Sequence, residues 1–126
     1  MRVGTPPILQ LAALEASLDI WDQTTMADVR ARSIDLTEAF IKGVEAGCPT
    51  LTLASPRDPE ARGSQVSFRH KEGYAIMQAL IARAVIGDFR APDILRFGFT
   101  PLYTTMADVT GAVTILTEII EKSLWD

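Results

Sequence analysis

The stretch DFRAPDILRFGFTPLY, residues 88–103, decides the reading of the fold. Two apolar runs, around Val85–Phe89 and Ile94–Phe99, read as short strands joined by a short link near Ala91–Asp93. A link that short joins antiparallel neighbours, because parallel strands need a long crossover. The second run, Ile94, Leu95, Arg96, Phe97, Gly98 and Phe99, reads as a buried strand with an arginine inside it. A guanidinium in apolar surroundings needs an anionic partner. Arg96 shares a strand face with Ile94 and Gly98, and Gly98 has no side chain to fill the space beside it. The forked donors of arginine match a carboxylate or a phosphate. Two kinds of partner fit: the carboxylate of a bound ligand, or an internal acid such as Asp88 or Asp93.

Outward from this hairpin, strands and helices alternate. SQVSFRH, residues 64–70, places Val66 and Phe68 on one face and Ser67 and Arg69 on the other. Leu51–Ala54 reads as a further short strand, and SPRDPEARG after it as a loop. A helix is predicted from Gly73 to about Ala84, with Ile76, Met77, Leu80 and Ile81 toward the core. Another runs from Thr105 to about Leu124, with Val109, Val113, Leu116 and Ile120 as its apolar stripe. TTMADVRARSIDLTEAFIKGVEAGCP is a long helix carrying Val29, Leu36, Phe40 and Val44 on one face, stopped by Gly47 and Pro49. GTPPILQLAALEASLDIW is the first helix. Thr5 can cap it, Pro6 suits its first turn, and Ile8, Leu11, Leu14, Leu18 and Trp21 form a stripe that needs a partner.

The order α, α, β, β, α, β, β, α predicts an α/β (α+β two-layer) domain: a small, mostly antiparallel sheet of three or four strands packed with helices. The hexapeptide TTMADV occurs at Thr24–Val29 and again at Thr104–Val109. Both copies stand at helix starts with Thr and Asp three apart, so they read as two solutions of one capping problem.

The 126 residues suit one domain. A formal charge of −4 argues against a nucleic-acid binder, which carries a basic face. No apolar run is long enough to span a membrane, and Met1–Pro7 lacks a signal-peptide core. One cysteine, Cys48, excludes an internal disulfide and suits a reducing compartment. A soluble, cytoplasmic protein is the expectation. His70 is the sole histidine and has no ligand set at metal spacing around it, so no metal site is expected. Nothing supplies a base to Cys48. The three lysines, Lys42, Lys71 and Lys122, stand on exposed helix faces or in a turn, not in a pocket that would depress an ammonium pKa. At Thr5, a plain helix cap competes with a phosphate contact, since Pro6 and Pro7 remove two backbone donors.

Four blocks carry a resemblance: GTPPILQLAALEASLDIWDQ, SPRDPEARGSQVSFRH, GYAIMQALIARAVIGDFRAPDILRFGFTPLY and the closing helix. Together they resemble the C-terminal part of the bacterial kynureninase family, from Gly4 to about Trp125. The resemblance implies the small domain of a fold type I, pyridoxal 5'-phosphate (PLP) dependent hydrolase, with residues 1–126 including the linking helix at the N-terminal end. The family converts L-kynurenine to anthranilate and L-alanine in tryptophan catabolism and works as a homodimer. It further implies that Arg96 binds the α-carboxylate of the amino-acid substrate and that Thr5 helps hold the cofactor phosphate. No lysine here matches the family's Schiff-base position, and the PLP-binding large domain is missing. The expectation is a chain with no catalytic residue of its own, no cofactor bound alone, no activity alone, and self-association through its bared apolar stripe. The alternative is a non-catalytic dimerisation or small-carboxylate-binding module derived from a PLP enzyme. A desulfurase would need a cysteine on a mobile loop, which Cys48 at a helix end does not provide.

Overall fold

The computed structural model describes residue 4 and residues 6–125. The chain runs α1 (Ile8–Trp21), α2 (Met26–Gly47), β1 (Thr52–Leu53), β2 (Gln65–Arg69), α3 (Gly73–Ile81), β3 (Asp88–Arg90), β4 (Ile94–Gly98) and α4 (Met106–Lys122). This is the expected order; β1, β2 and β4 are shorter than expected, β3 is shifted from Val85–Phe89 to Asp88–Arg90, and a 3-10 turn stands at Pro59–Ala61 inside the loop. The sheet has the order β1-β2-β4-β3 and every pair is antiparallel.

The two TTMADV copies behave alike. Thr25 and Thr105 cap α2 and α4, accepting the backbone N–H of Asp28 and Asp108. At α4 the exchange is reciprocal, because the Asp108 carboxylate also accepts the Thr105 N–H at 2.7 Å. That bonding holds the Asp108 carboxyl below the usual carboxylate range.

Strand alternation sorts the sheet into two faces. Val66 and Phe68 of β2 oppose Phe97 and Leu95 of β4, and all four are buried. Helices α2, α3 and α4 cover this face. Phe40 of α2 sits at its centre, with ring centroids 4.8 Å from Phe97, 5.2 Å from Phe99 and 6.1 Å from Phe68. Leu36, Ile41, Val44, Ile76, Leu80, Leu116 and Ile119 complete the core. Ile81, expected inward, is 41% exposed, because α3 ends at that residue and leaves it past the covered face. In α4, Ile119 is fully buried, whereas Val113 and Ile120 are half-buried.

Two glycines let α2 approach α4. A Cβ at Gly43 would lie 2.9 Å and 3.0 Å from the two methyls of Val113, and one at Gly47 would strike Thr117. By contrast, a Cβ at Gly111 on α4 would meet nothing within 4 Å. Gly111→Ala is therefore expected to raise stability by about 0.5–1 kcal/mol through helix propensity. Gly43→Ala is expected to lower it by about 1–3 kcal/mol, because the crowding outweighs the same gain. Urea midpoints of the two variants check the opposite signs.

Loop residues 55–64 fold over α2 through Arg62, whose side chain is 2% exposed. Its guanidinium pairs with Glu38 and donates to the carbonyls of Pro56 at 3.2 Å and Arg57 at 2.6 Å. The sequence gives no sign of this buried arginine, since loops have no periodicity to read.

Helix α1 differs from the rest. Every one of its residues is exposed, including Ile8, Leu9, Leu11, Leu14, Leu18, Ile20 and Trp21. The expected stripe exists, but no described part of this chain covers it. The N-cap position is Pro7, with no side-chain cap bond, and the helix starts at Ile8. Thr5 lies outside the described residues.

Candidate functional site

Arg96 stands on the sheet face that the helices leave open. The strand is thus buried on one side only: Leu95 and Phe97 point inward, whereas Ile94 and Arg96 are half-buried and Gly98 is exposed. This corrects the expectation of a strand buried throughout. Alternation places Arg96 opposite to the core, and among the described residues no layer covers that side.

Of the two internal acids considered, Asp88 is the one that reaches Arg96. The residues oppose each other directly in the β3–β4 ladder, and Nη2 of Arg96 donates to Oδ2 of Asp88. The same oxygen lies 3.3 Å from Nη2 of Arg90. The Asp93 carbonyl instead accepts the His70 N–H at 3.0 Å, closing the turn. The hydrogen bond from Arg96 holds the Asp88 carboxyl below the usual carboxylate range, with Arg90 adding to the effect. Asp88 is therefore ionised at neutral pH.

The ion pair does not consume the guanidinium. Arg96 is 30% exposed and a cleft of about 350 Å³ reaches it, whereas its Nε is buried away from solvent and has no partner among the described residues. Gln65, Ile86, Gly87, Asp88 and Gly98 line the rest of that cleft. Gly98 has open space where a Cβ would stand, as the sequence implied. Gln65, directly opposite Gly98 in the β2–β4 ladder, supplies a carboxamide. The sequence did not single out Gln65, because its proximity to Arg96 depends on the pairing of strands far apart in the chain. A second cleft of about 380 Å³ lies between α4 and the segment before β3 and is lined largely by apolar groups such as Phe99, Val109 and Ile115. Ile86 and Gly98 border both clefts.

The other candidates stand apart from Arg96. Cys48 is buried, and burial pushes its thiol pKa up, so it is a poor nucleophile. His70 accepts the Glu72 N–H at its Nδ1 and packs edge-on against Trp125; burial lowers its pKa. Lys42 and Lys71 are exposed, and Lys122 pairs with Glu118 at 2.8 Å.

The fold is shared with a solved cysteine desulfurase from Thermococcus onnurineus NA1, with a TM-score of 0.83 over 96% of this chain and 33% of that one, at 14% identity. The architecture is thus shared with about a third of that longer chain. A family model for the kynureninase C-terminal domain matches residues 29–116. The chain belongs to the kynureninase C-terminal domain family. It is 55% identical over 124 residues to the kynureninase of Pseudomonas fluorescens and 51% identical to that of Burkholderia mallei (strain SAVP1). These matches cover 97% of this chain but 30% of each relative, so the chain spans under a third of their length.

PLP, which the family resemblance implies, needs an amine for its aldehyde and donors around its phosphate. Among the described residues no lysine is buried and none lines the Arg96 cleft. These residues do not by themselves fit the cofactor. What they offer is a forked cation in an open cleft.

Proposed function

We propose that this chain is the small domain of a PLP-dependent hydrolase that splits L-kynurenine into anthranilate and L-alanine, and that Arg96 holds the substrate's α-carboxylate. One observation carries the reading: in a kynureninase-family chain, an arginine that is 30% exposed lines a cleft on the uncovered side of the sheet. Gripping the carboxylate orients the bonds at the substrate's Cα, and such positioning can lower a barrier by about 7–11 kcal/mol at its best. The cofactor seat and the amine it requires belong, on this reading, to the part of the relatives that this chain does not match. Thr5 is proposed to contribute to the phosphate end of that seat, and the cytoplasm is the proposed compartment.

The test joins this chain to the N-terminal remainder of the Pseudomonas fluorescens kynureninase. The chain alone, supplied with PLP and L-kynurenine, is expected to release no anthranilate. The chimera is expected to release it. Clear turnover by the chain alone, or an inactive but folded and PLP-loaded chimera, would refute the assignment.

The exposed stripe of α1 is proposed to dock on the remainder of the enzyme or its homodimer. Exposed apolar area of this kind drives association. The chain alone is therefore expected to self-associate in sedimentation at high concentration, and Leu14→Glu with Leu18→Glu to return it to monomer. A strictly monomeric wild-type chain would count against this role of α1.

A further inference from the structure

We propose that Asp88 is a positioning residue for Arg96: it restrains the guanidinium through Nη2, so that the solvent-exposed part of the fork faces a ligand carboxylate in the cleft. The inference rests on the reading of Arg96 above and adds to it the residue that makes the grip directional.

The ladder sets the directions. Asp88 reaches Arg96 from the β3 side, while Gly98 and Gln65 extend the cleft toward β2. Nη2 is the single side-chain donor of Arg96 that engages any described residue. An arginine on an uncovered sheet face would otherwise sample many rotamers, and ordering it only when ligand arrives weakens binding. Asp88 imposes that order beforehand. Its own place is built in at Gly87, where a Cβ would lie 2.8 Å from the Arg96 carbonyl oxygen and 2.7 Å from the Met77 methyl. Only glycine lets the chain pass that close as it enters β3.

The charges agree with the geometry. Arg90, Arg96 and Asp88 form a cluster of net charge +1, of which Arg96 and Asp88 line the cleft and Arg90 shares the Asp88 carboxylate from outside it. Losing the Asp88 charge would leave two positive charges and a guanidinium free to turn toward solvent.

The chimera tests this. Asp88→Asn keeps the shape and removes the charge. It is expected to raise KM for L-kynurenine about 10-fold, the scale of one charge-assisted contact, with kcat changed less than about 3-fold. In an Arg96→Met background the same replacement is expected to change KM less than about 2-fold, because a residue acting through Arg96 has nothing left to position. A purely structural role would act equally in both backgrounds, and that result would overturn the proposal. So would an unchanged KM, or a lower one, which would make Asp88 a competitor for the site. If Arg96→Met itself leaves KM unaltered, the reading of Arg96 fails and this role falls with it. If Arg96→Met raises KM and Asp88→Asn does not, only the role of Asp88 is lost. Asp88→Ser carries the same expectations should the Asn variant not fold.

Discussion

Arg96→Met in the chimera is expected to lower kcat/KM for L-kynurenine by about 100- to 1000-fold, the loss of two charge-assisted hydrogen bonds to a carboxylate. Methionine keeps much of the side-chain length and removes every donor. The loss should appear largely in KM, with a part in kcat because a loosely held carboxylate no longer fixes the bonds at Cα. Arg96→Lys retains the charge but not the fork, so an intermediate loss is expected. The fold should tolerate both, since the Arg96–Asp88 pair is partly exposed and such pairs add little stability. Circular dichroism and thermal midpoints of the variants verify that point. A change in kcat/KM below about 5-fold for Arg96→Met would show that the cleft does not hold the substrate's carboxylate.

Phe40→Ala is expected to cost about 3–5 kcal/mol of folding stability, a large part of what a domain of this size possesses. Phe40 is buried to 1% and its ring meets three others, Phe68, Phe97 and Phe99, from both central strands and the segment after β4. It therefore ties α2 to the inner face of the sheet, and the cavity left by alanine lies where neither layer can collapse without moving a strand. The thermal midpoint should fall by about 10–20 °C. Phe40→Leu, which keeps most of the volume, should cost much less. A loss under about 1.5 kcal/mol for the alanine variant would mean that the layers repack freely, contrary to a close-packed interface. Because β4 carries both Phe97 and Arg96, loosening this contact should also blur the position of the guanidinium.

The two effects separate what the chain's elements do. Leu95 and Phe97 alternate with Arg96 along five residues of β4, so one strand both anchors the core and presents the cation. Alternation was legible from residues 94–98 alone. Reading the run as buried on both sides was not correct, because apolar neighbours in sequence do not say whether a second layer exists. The same ambiguity applies to α1. Its apolar residues repeat as in a core helix, yet no described residue of this chain covers them. Residue periodicity reports that a face is apolar and leaves the identity of its partner open.

The sequence by itself determined the element order, the antiparallel hairpin at residues 88–98, the paired Thr–Asp caps of α2 and α4, and the family. These rest on local rules: a short link cannot join parallel strands, a hydroxyl three residues before an acid caps a helix, and an ungapped resemblance needs no geometry. Tertiary structure alone decided that Asp88 and not Asp93 meets Arg96, that Gln65 and Gly87 border the same cleft, that Arg62 is buried, and that the helices cover only one side of the sheet. Each of these depends on which strands pair and where the layers stack. The choice of Asp88 turns on the register of a hairpin eight residues wide, which the link length alone does not fix, and the other contacts join residues distant along the chain.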